Sequence, residues 1–260
     1  MSQGVPPYVP GHELLAGKRV LITAAAGSGI GFATARRCAE EGASVMISDI
    51  HERRTAEAAE KIEKITGTPT PTQLCDVSDQ TQVDALIAAA VERLGGIDVL
   101  INNAGLGGTA NVVDMTDEQW NGVLGITLTG TFRMTRAVLP HMLERGSGCI
   151  VNNASVLGWR AQVGQAHYAA AKAGVMALTR CAALEVADRG IRINAVSPSL
   201  ATHEFLNRVM PTEVLEELTK REAYGRGAEP WEVANVIAFL ASDYAGYMTG
   251  EVVSVSSQHP

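Results

Sequence analysis

The chain has few aromatic residues, no excess of positive charge and no long apolar run, and each shortage removes a class of function. Aromatic side chains make up 5% of the 260 residues, too few for the stacking platforms that single-stranded nucleic acids use. The formal charge is −7, from 28 acidic against 21 basic residues, which argues against a phosphate-binding surface for DNA or RNA. No segment approaches the roughly 18 consecutive apolar residues of a membrane span. Cysteine is also scarce: Cys38, Cys75, Cys149 and Cys181 are far apart, form no Cys-x-x-Cys and have no histidine at metal-ligand spacing. That pattern fits a reducing cytosol, so a cytoplasmic location is expected and no metal site. Met1 to Leu15 contains Pro6, Pro7 and Pro10 but no basic stretch leading into an apolar one, so it does not read as a secretory signal. It is expected to be an arm, packed on the surface or on a partner subunit.

What is present is the composition of a globular protein, with 46% hydrophobic and 19% charged residues. From Lys18 onward short apolar runs alternate with amphipathic stretches, the pattern of βα units and a parallel sheet. Seven runs read as strands: Arg19 to Ala24, Ser44 to Asp49, Thr72 to Cys75, Ile97 to Asn102, Cys149 to Asn153, Ile191 to Val196 and Val252 to Ser254. Helices are predicted over Gly29 to Glu41, Arg53 to Ile65, Gln80 to Leu94, Thr116 to Glu144, Gln165 to Asp188 and Pro230 to Leu240. Several strands lack polar alternation, as expected when helices cover both faces of the sheet. The length alone would allow one domain or two, but no linker divides the pattern. The expectation is one doubly wound, Rossmann-type α/β domain over 1–260, with an N-terminal arm (1–15) and a substrate-loop insertion (199–224).

Two local constellations carry chemistry. Tyr168 and Lys172 are four residues apart on a predicted helix, thirteen and seventeen residues after Ser155. One helical turn brings the ammonium towards the phenol, where a cation would favour phenolate over a hydroxyl that ordinarily titrates near pH 10. That suits proton transfer at a carbonyl oxygen. The second constellation is Ala24-Ala25-Ala26-Gly27-Ser28-Gly29-Ile30-Gly31, lying between the first strand and the first helix. Glycines there let the backbone approach a pyrophosphate and aim its N–H groups at it. Asp49 ends the second strand, where a carboxylate accepts from the adenosine ribose hydroxyls and repels a 2′-phosphate. NAD is therefore preferred over NADP. Arg53 and Arg54 offer an alternative partner for a phosphate, although their helical setting reads as a solvated face.

These residues resemble the short-chain dehydrogenase/reductase family over about Leu15 to Val253. Asp76-Val77 is similar to its adenine-contacting pair, Asn102-Asn103-Ala104-Gly105 to the turn that steadies the sheet and lines the coenzyme, and Ile191 to Pro198 to the segment leading to the nicotinamide. The resemblance implies an NAD(P)-dependent oxidoreductase that interconverts a secondary alcohol and a ketone. It implies Tyr168 as general acid or base, Lys172 lowering the phenol's pKa and binding the nicotinamide ribose, and Ser155 holding the substrate oxygen. Gly27, Ser28, Gly29, Ile30, Asp49, Asp76, Val77, Asn103, Ala104, Gly105, Pro198, Leu200 and Thr202 are implied to line the coenzyme, together with Tyr168 and Lys172.

The chain departs from the family pattern in three places. Ala24 replaces the first glycine of the turn, which gains one residue; alanine does not take positive φ cheaply, so the turn is expected to be rebuilt around Gly27. Thr127 stands where many members carry an asparagine that helps relay protons to the lysine, partly through its backbone carbonyl. Ser199 replaces a glycine after Pro198, and the chain closes with Ser254-Val255-Ser256-Ser257 in place of Asp-Gly-Gly.

Trp159, Arg160, Gln162, Gln165 and His167 form a cluster between Ser155 and Tyr168. Trp159 suits a cyclic hydrocarbon and Arg160 a carboxylate or the phosphates of coenzyme A; subunit contact and solvent are the competing roles. His167 is expected to point away from the chemistry. A second, weaker resemblance rests on Tyr8-Val9-Pro10-Gly11-His12, the alanine-rich turn and Asp49-Ile50-His51-Glu52-Arg53-Arg54. It is to actinobacterial members that degrade steroid rings, and it implies a ring alcohol or ketone carried as a coenzyme A thioester. A 3-oxoacyl-thioester reductase is the main alternative, and a nucleotide sensor with impaired catalysis is the alternative of another class. The family also implies a homo-oligomer, dimer or tetramer, built on the two long helices.

Overall fold

The computed structural model describes residues 4–203, 206 and 212–258. Seven strands, β1 (Arg19–Thr23), β2 (Ser44–Asp49), β3 (Thr72–Leu74), β4 (Val99–Asn102), β5 (Gly148–Asn153), β6 (Ile191–Pro198) and β7 (Val252–Val255), form one sheet in the order β3-β2-β1-β4-β5-β6-β7. Every neighbouring pair is parallel. The direction of winding reverses between β1 and β4, and that reversal opens a crevice at the carboxyl ends of the strands.

The strands are uniformly apolar because alternate residues face different layers, both of them covered. Val20 and Ile22 of β1 enter one core cluster with Val45, Ile47, Val99 and Ile101. Leu21 enters the other with Met46, Leu100 and Ile150. The first layer is covered by α1 (Ile30–Glu40), α2 (Glu52–Thr66) and α8 (Pro230–Ala241), the second by α3 (Gln80–Leu94), α5 (Gly130–Arg145) and α6 (Ala166–Val186).

The helix predicted over Thr116 to Glu144 differs from expectation. It is α4 (Asp117–Leu124), a π-helical turn over Gly125–Thr129, and α5. Thr116 starts it with a full capping box to Gln119, and the extra residue of the π turn carries Thr127 inward, fully buried. The expected insertion contains α7 (Thr212–Lys220); residues 204–205 and 207–211 lie outside the described residues.

The arm packs on its own chain. Glu41 receives the backbone amides of His12 (2.7 Å) and Leu14 (3.0 Å) and pairs with Arg37, which also donates to the carbonyls of Val9 and Pro10. Tyr8 bonds Glu40 and meets Trp231 of α8 edge-on at 5.3 Å. Gly11 is required here: a Cβ would come 2.2 Å from the Glu40 carbonyl oxygen.

Candidate active site

The expected site residues lie at the carboxyl ends of β1 to β6. Ser155 follows β5, in extended backbone, and its Oγ accepts from the Leu157 amide at 3.2 Å, capping a short 3-10 turn. Tyr168 and Lys172 lie on the first turns of α6. The Ser155 side chain lies close enough to the Tyr168 hydroxyl to favour its ionised form, so two of the three expected catalytic groups are brought together.

The relation of Lys172 to Tyr168 differs from expectation. Burial pushes the Tyr168 phenol above its ordinary value, and only Ser155 works the other way. Lys172 Nζ lies 5.6 Å from the ring centre and donates to the Asn153 backbone carbonyl. Its own pKa is pushed down to about 8 by burial, because a desolvated ammonium is disfavoured. The sequence spacing placed the two groups near each other; it did not reveal how strongly burial bears on both.

Thr127 adjoins this pair. A Cβ on Gly105 would lie 3.5 Å from Lys172 Nζ and 3.7 Å from Thr127 Oγ1, so both border the same small space. Thr127 Oγ1 accepts from the Leu106 amide (2.9 Å) and donates to the Leu106 carbonyl (3.2 Å), pinning the chain after Gly105. Its backbone carbonyl accepts from Thr131 Oγ1 at 2.8 Å.

The glycine turn is rebuilt in part as expected. Gly27 takes φ +129°, but Ala24 itself also adopts φ +50°, at a cost on the order of 1 kcal/mol. The neighbours explain why the strain is tolerated. The Ala24 carbonyl receives Asn103 Nδ2 at 3.0 Å, and the Ala26 amide donates to Asp49 Oδ2 at 3.2 Å. Gly31 closes the cradle, since a Cβ there would come 2.2 Å from the Ala24 oxygen. Gly29 N-caps α1 without any side-chain bond, and no acidic residue lies in the first turn.

Asp49 therefore does more than the ribose role requires. Its Oδ1 accepts from the amides of Ile50 (2.8 Å) and His51 (3.2 Å), and burial raises its pKa against the pull of the Ala26 and Ile50 amides and of Arg54. The turn-forming role and the ribose role are compatible, because three amides leave acceptor capacity on Oδ2. Arg53 is exposed and pairs with Glu57, as a solvated face predicts.

Asp76 accepts from the Ser78 amide at 2.8 Å, beside buried Val77. The turn after β4 is held by residues the sequence reading did not single out. Thr23 Oγ1 takes the amides of Asn103 (3.0 Å) and Ala104 (3.1 Å), and Asn153 Nδ2 donates to Asn103 Oδ1 (2.9 Å). Asn102 Nδ2 donates to Asn152 Oδ1 (2.9 Å), whose amide reaches Thr179 of α6 (2.8 Å), a buried chain across β4, β5 and α6. Asn102 and Asn103 are the pair expected to steady the sheet; the matching pair Asn152-Asn153 at the end of β5 is the signal for their partners. Pro198 ends β6 opposite Val255. After it the Leu200 carbonyl accepts from Ala228 (2.8 Å) and Thr202 donates to the Ala228 carbonyl (3.0 Å).

The substrate cluster divides. Trp159, Arg160, Gln162 and Gln165 line an open groove of about 660 Å³ along α6, which Ser155 and Tyr168 do not line. His167 is instead buried at 1% exposure, its Nε2 3.1 Å from where a Cβ on Gly108 would stand. Arg160 is engaged by Gln258 rather than left in solvent.

Comparison with known proteins agrees with this architecture. Residues 24–257 match the family model described as enoyl-(acyl carrier protein) reductase. The chain is 59% identical over 256 residues to (5R,7aS)-5-hydroxy-7a-methyl-1-oxo-2,3,5,6,7,7a-hexahydro-1H-indene-carboxyl-CoA reductase of Mycobacterium tuberculosis, covering 98% of each chain. It is 41% identical to the 3-oxoacyl-(acyl-carrier-protein) reductase FabG of Thermotoga maritima, over 93% of this chain and 97% of that one. A crystal structure of a short-chain dehydrogenase from Mycobacterium smegmatis superposes with a TM-score of 0.88 at 56% identity, covering 99% of both chains. The chain thus belongs to the short-chain dehydrogenase/reductase family, as an NAD(P)-dependent oxidoreductase that interconverts a secondary alcohol and a ketone.

Proposed function

We propose that this enzyme acts on a hydroxyl or keto group of a methyl-hydroindane ring carried as a coenzyme A thioester. The observation that carries this reading is the 59% identity over 98% of both chains to the mycobacterial relative named for such a substrate. The 41% identity to a 3-oxoacyl reductase supports the second reading, a linear 3-oxoacyl thioester.

The residues fit a dinucleotide. The α1 N-terminus has no side-chain cap, leaving amides for a pyrophosphate, and the Asp49 carboxylate stands at the end of β2 with acceptor capacity for ribose hydroxyls. In this reading Gly27, Ser28, Gly29 and Ile30 surround the pyrophosphate, and Asp49 selects NAD. Asp76 and Val77 border the adenine. Asn103, Ala104, Gly105, Pro198, Leu200 and Thr202 line the path to the nicotinamide. The coenzyme, when bound, supplies or accepts the hydride. Tyr168 supplies or takes the proton at the substrate oxygen. Ser155, close to the Tyr168 hydroxyl, steadies charge on that oxygen. Lys172 binds the nicotinamide ribose, and the Thr127 carbonyl serves its proton supply.

We place the enzyme in the cytoplasm as a homo-oligomer. Half-exposed Trp159 and the outward Ala170 and Ala177 of α6 support association along that helix. Incubation with NAD or NADP and each thioester tests the substrate: activity confined to short linear 3-oxoacyl thioesters would overturn the ring reading.

A further inference from the structure

Glu222 is a buried carboxylate, 4% exposed, that hydride and proton transfer do not use. It follows α7 and collects four hydrogen bonds. Oε1 accepts from the Leu200 amide (3.2 Å) and Gln258 Nε2 (2.8 Å), and Oε2 from Ser199 Oγ (3.1 Å) and Ser257 Oγ (2.7 Å). Two backbone bonds run parallel to these, Ser199 to the Val255 carbonyl and Ala223 to the Ser257 carbonyl, each 3.2 Å. The other end of the Gln258 amide accepts from the Arg160 guanidinium. One side chain thereby spans a positive and a negative group, oxygen towards the cation and nitrogen towards the anion.

Two departures from the family pattern meet at this carboxylate. Ser199 stands where the resemblance implies a glycine, and Ser257 lies in the segment that replaces Asp-Gly-Gly; each supplies a hydroxyl to Glu222. Burying a carboxylate without donors costs several kcal/mol, so the serines and the acid support one another. The cluster also joins three segments that frame the site. They are the loop after Pro198, the chain's C-terminal segment, and the stretch after Ser155 that carries Trp159 and Arg160.

We propose that Glu222 is a positioning residue: it holds the loop that carries Leu200 and Thr202 and, through Gln258, sets Arg160 on the substrate side of the site. This rests on the coenzyme placement proposed above and on the sequence reading that gives Arg160 to the phosphates of coenzyme A. It predicts that the C-terminal residues of this chain contribute to specificity.

The test uses the full chain and the variants Glu222→Ala, Glu222→Gln, Gln258→Ala and Arg160→Ala, with melting temperature recorded for each. NADH affinity, followed by fluorescence, requires no turnover. It therefore tests the loop half even if the protein accepts neither thioester class, a result that would overturn the substrate reading alone. Glu222→Ala is expected to weaken NADH binding about tenfold, as losing one to two charge-assisted bonds implies. Gln258→Ala and Arg160→Ala are expected to leave NADH affinity unchanged and to raise the thioester KM by about tenfold with kcat changed less than about threefold. Glu222→Gln should recover most of the loss, since its amide nitrogen can face the two serine hydroxyls, which then accept, while its oxygen still receives the Leu200 and Gln258 amides. NADH affinity within twofold of the parent in a folded Glu222→Ala protein would overturn the loop half. An unchanged thioester KM in Gln258→Ala would overturn the Arg160 half, and this holds even if Glu222→Ala fails to fold.

Discussion

Lys172 Nζ sits 5.6 Å from the centre of the Tyr168 ring and gives its hydrogen bond to the Asn153 carbonyl. The Asn153 carbonyl at the end of β5 thus fixes where the ammonium stands relative to the phenol. Burial raises Tyr168 and lowers Lys172 to about 8, so the resting pair is a neutral phenol beside a cation that deprotonates in mildly alkaline solution.

Alcohol oxidation needs the phenolate and ketone reduction the phenol, so the first rate is expected to rise with pH and the second to fall. Lys172→Met should move both inflections to higher pH and lower kcat by about 10²–10⁴. Tyr168→Phe should abolish turnover while coenzyme affinity stays near normal. Steady-state pH profiles in both directions decide this, and an inflection that stays put in Lys172→Met would exclude the electrostatic role.

Asp49→Ser is expected to shift the NADP to NAD ratio of kcat/KM upward by about tenfold or more, as loss of hydrogen bonds to a charged acceptor implies. Because Asp49 also receives the Ala26 amide, part of the NAD loss should appear as weaker binding of both coenzymes. A ratio unchanged from the parent would place coenzyme selection elsewhere.

Thr127→Val removes both bonds to Leu106 and leaves the backbone carbonyl. A stability loss of about 1–3 kcal/mol in urea is expected from the unsatisfied Leu106 groups. If the carbonyl carries the proton relay, the pH profile of kcat keeps its shape. A displaced profile would assign the relay to the hydroxyl.

Glu41→Ala should cost about 3–5 kcal/mol, since it strands buried Arg37 and frees two amides of the arm. Chemical denaturation gives the value, and a loss below about 1 kcal/mol would show that the arm adds little to the fold.

Asp98 offers an acid-stability test. Burial opposes its ionisation, yet Arg19 and Arg145 hold its carboxyl well below the usual carboxylate range. A depressed pKa adds stability that is fully present above about pH 4 and lost as pH falls through the folded value. Asp98→Asn should therefore lower stability at neutral pH by on the order of 2 kcal/mol and flatten its decline in acid. An equal decline in the variant would remove Asp98 from the acid response.

The sheet was legible because its cause is periodic. Runs such as Val20-Leu21-Ile22 and Val99-Leu100-Ile101 feed both covered faces, and that shows in one dimension. Strand ends were less so: β3 stops at Leu74 and β6 runs on to Pro198, because pairing partners set the ends. The long helix after β4 hid its π turn, since nothing in Gly125-Ile126-Thr127-Leu128-Thr129 distinguishes an i+5 bond from an i+4 bond in sequence.

By itself the sequence determined the doubly wound order of elements, the Ser155, Tyr168 and Lys172 spacing, and the glycine turn, because each depends on residues near one another along the chain. The tertiary structure alone decided that Ala24 takes a left-handed conformation, that Lys172 answers to Asn153, and that Ser199, Ser257 and Gln258 gather on Glu222. Those outcomes turn on burial and on hydrogen bonds between segments far apart in sequence, and such energies exist only once the segments have met.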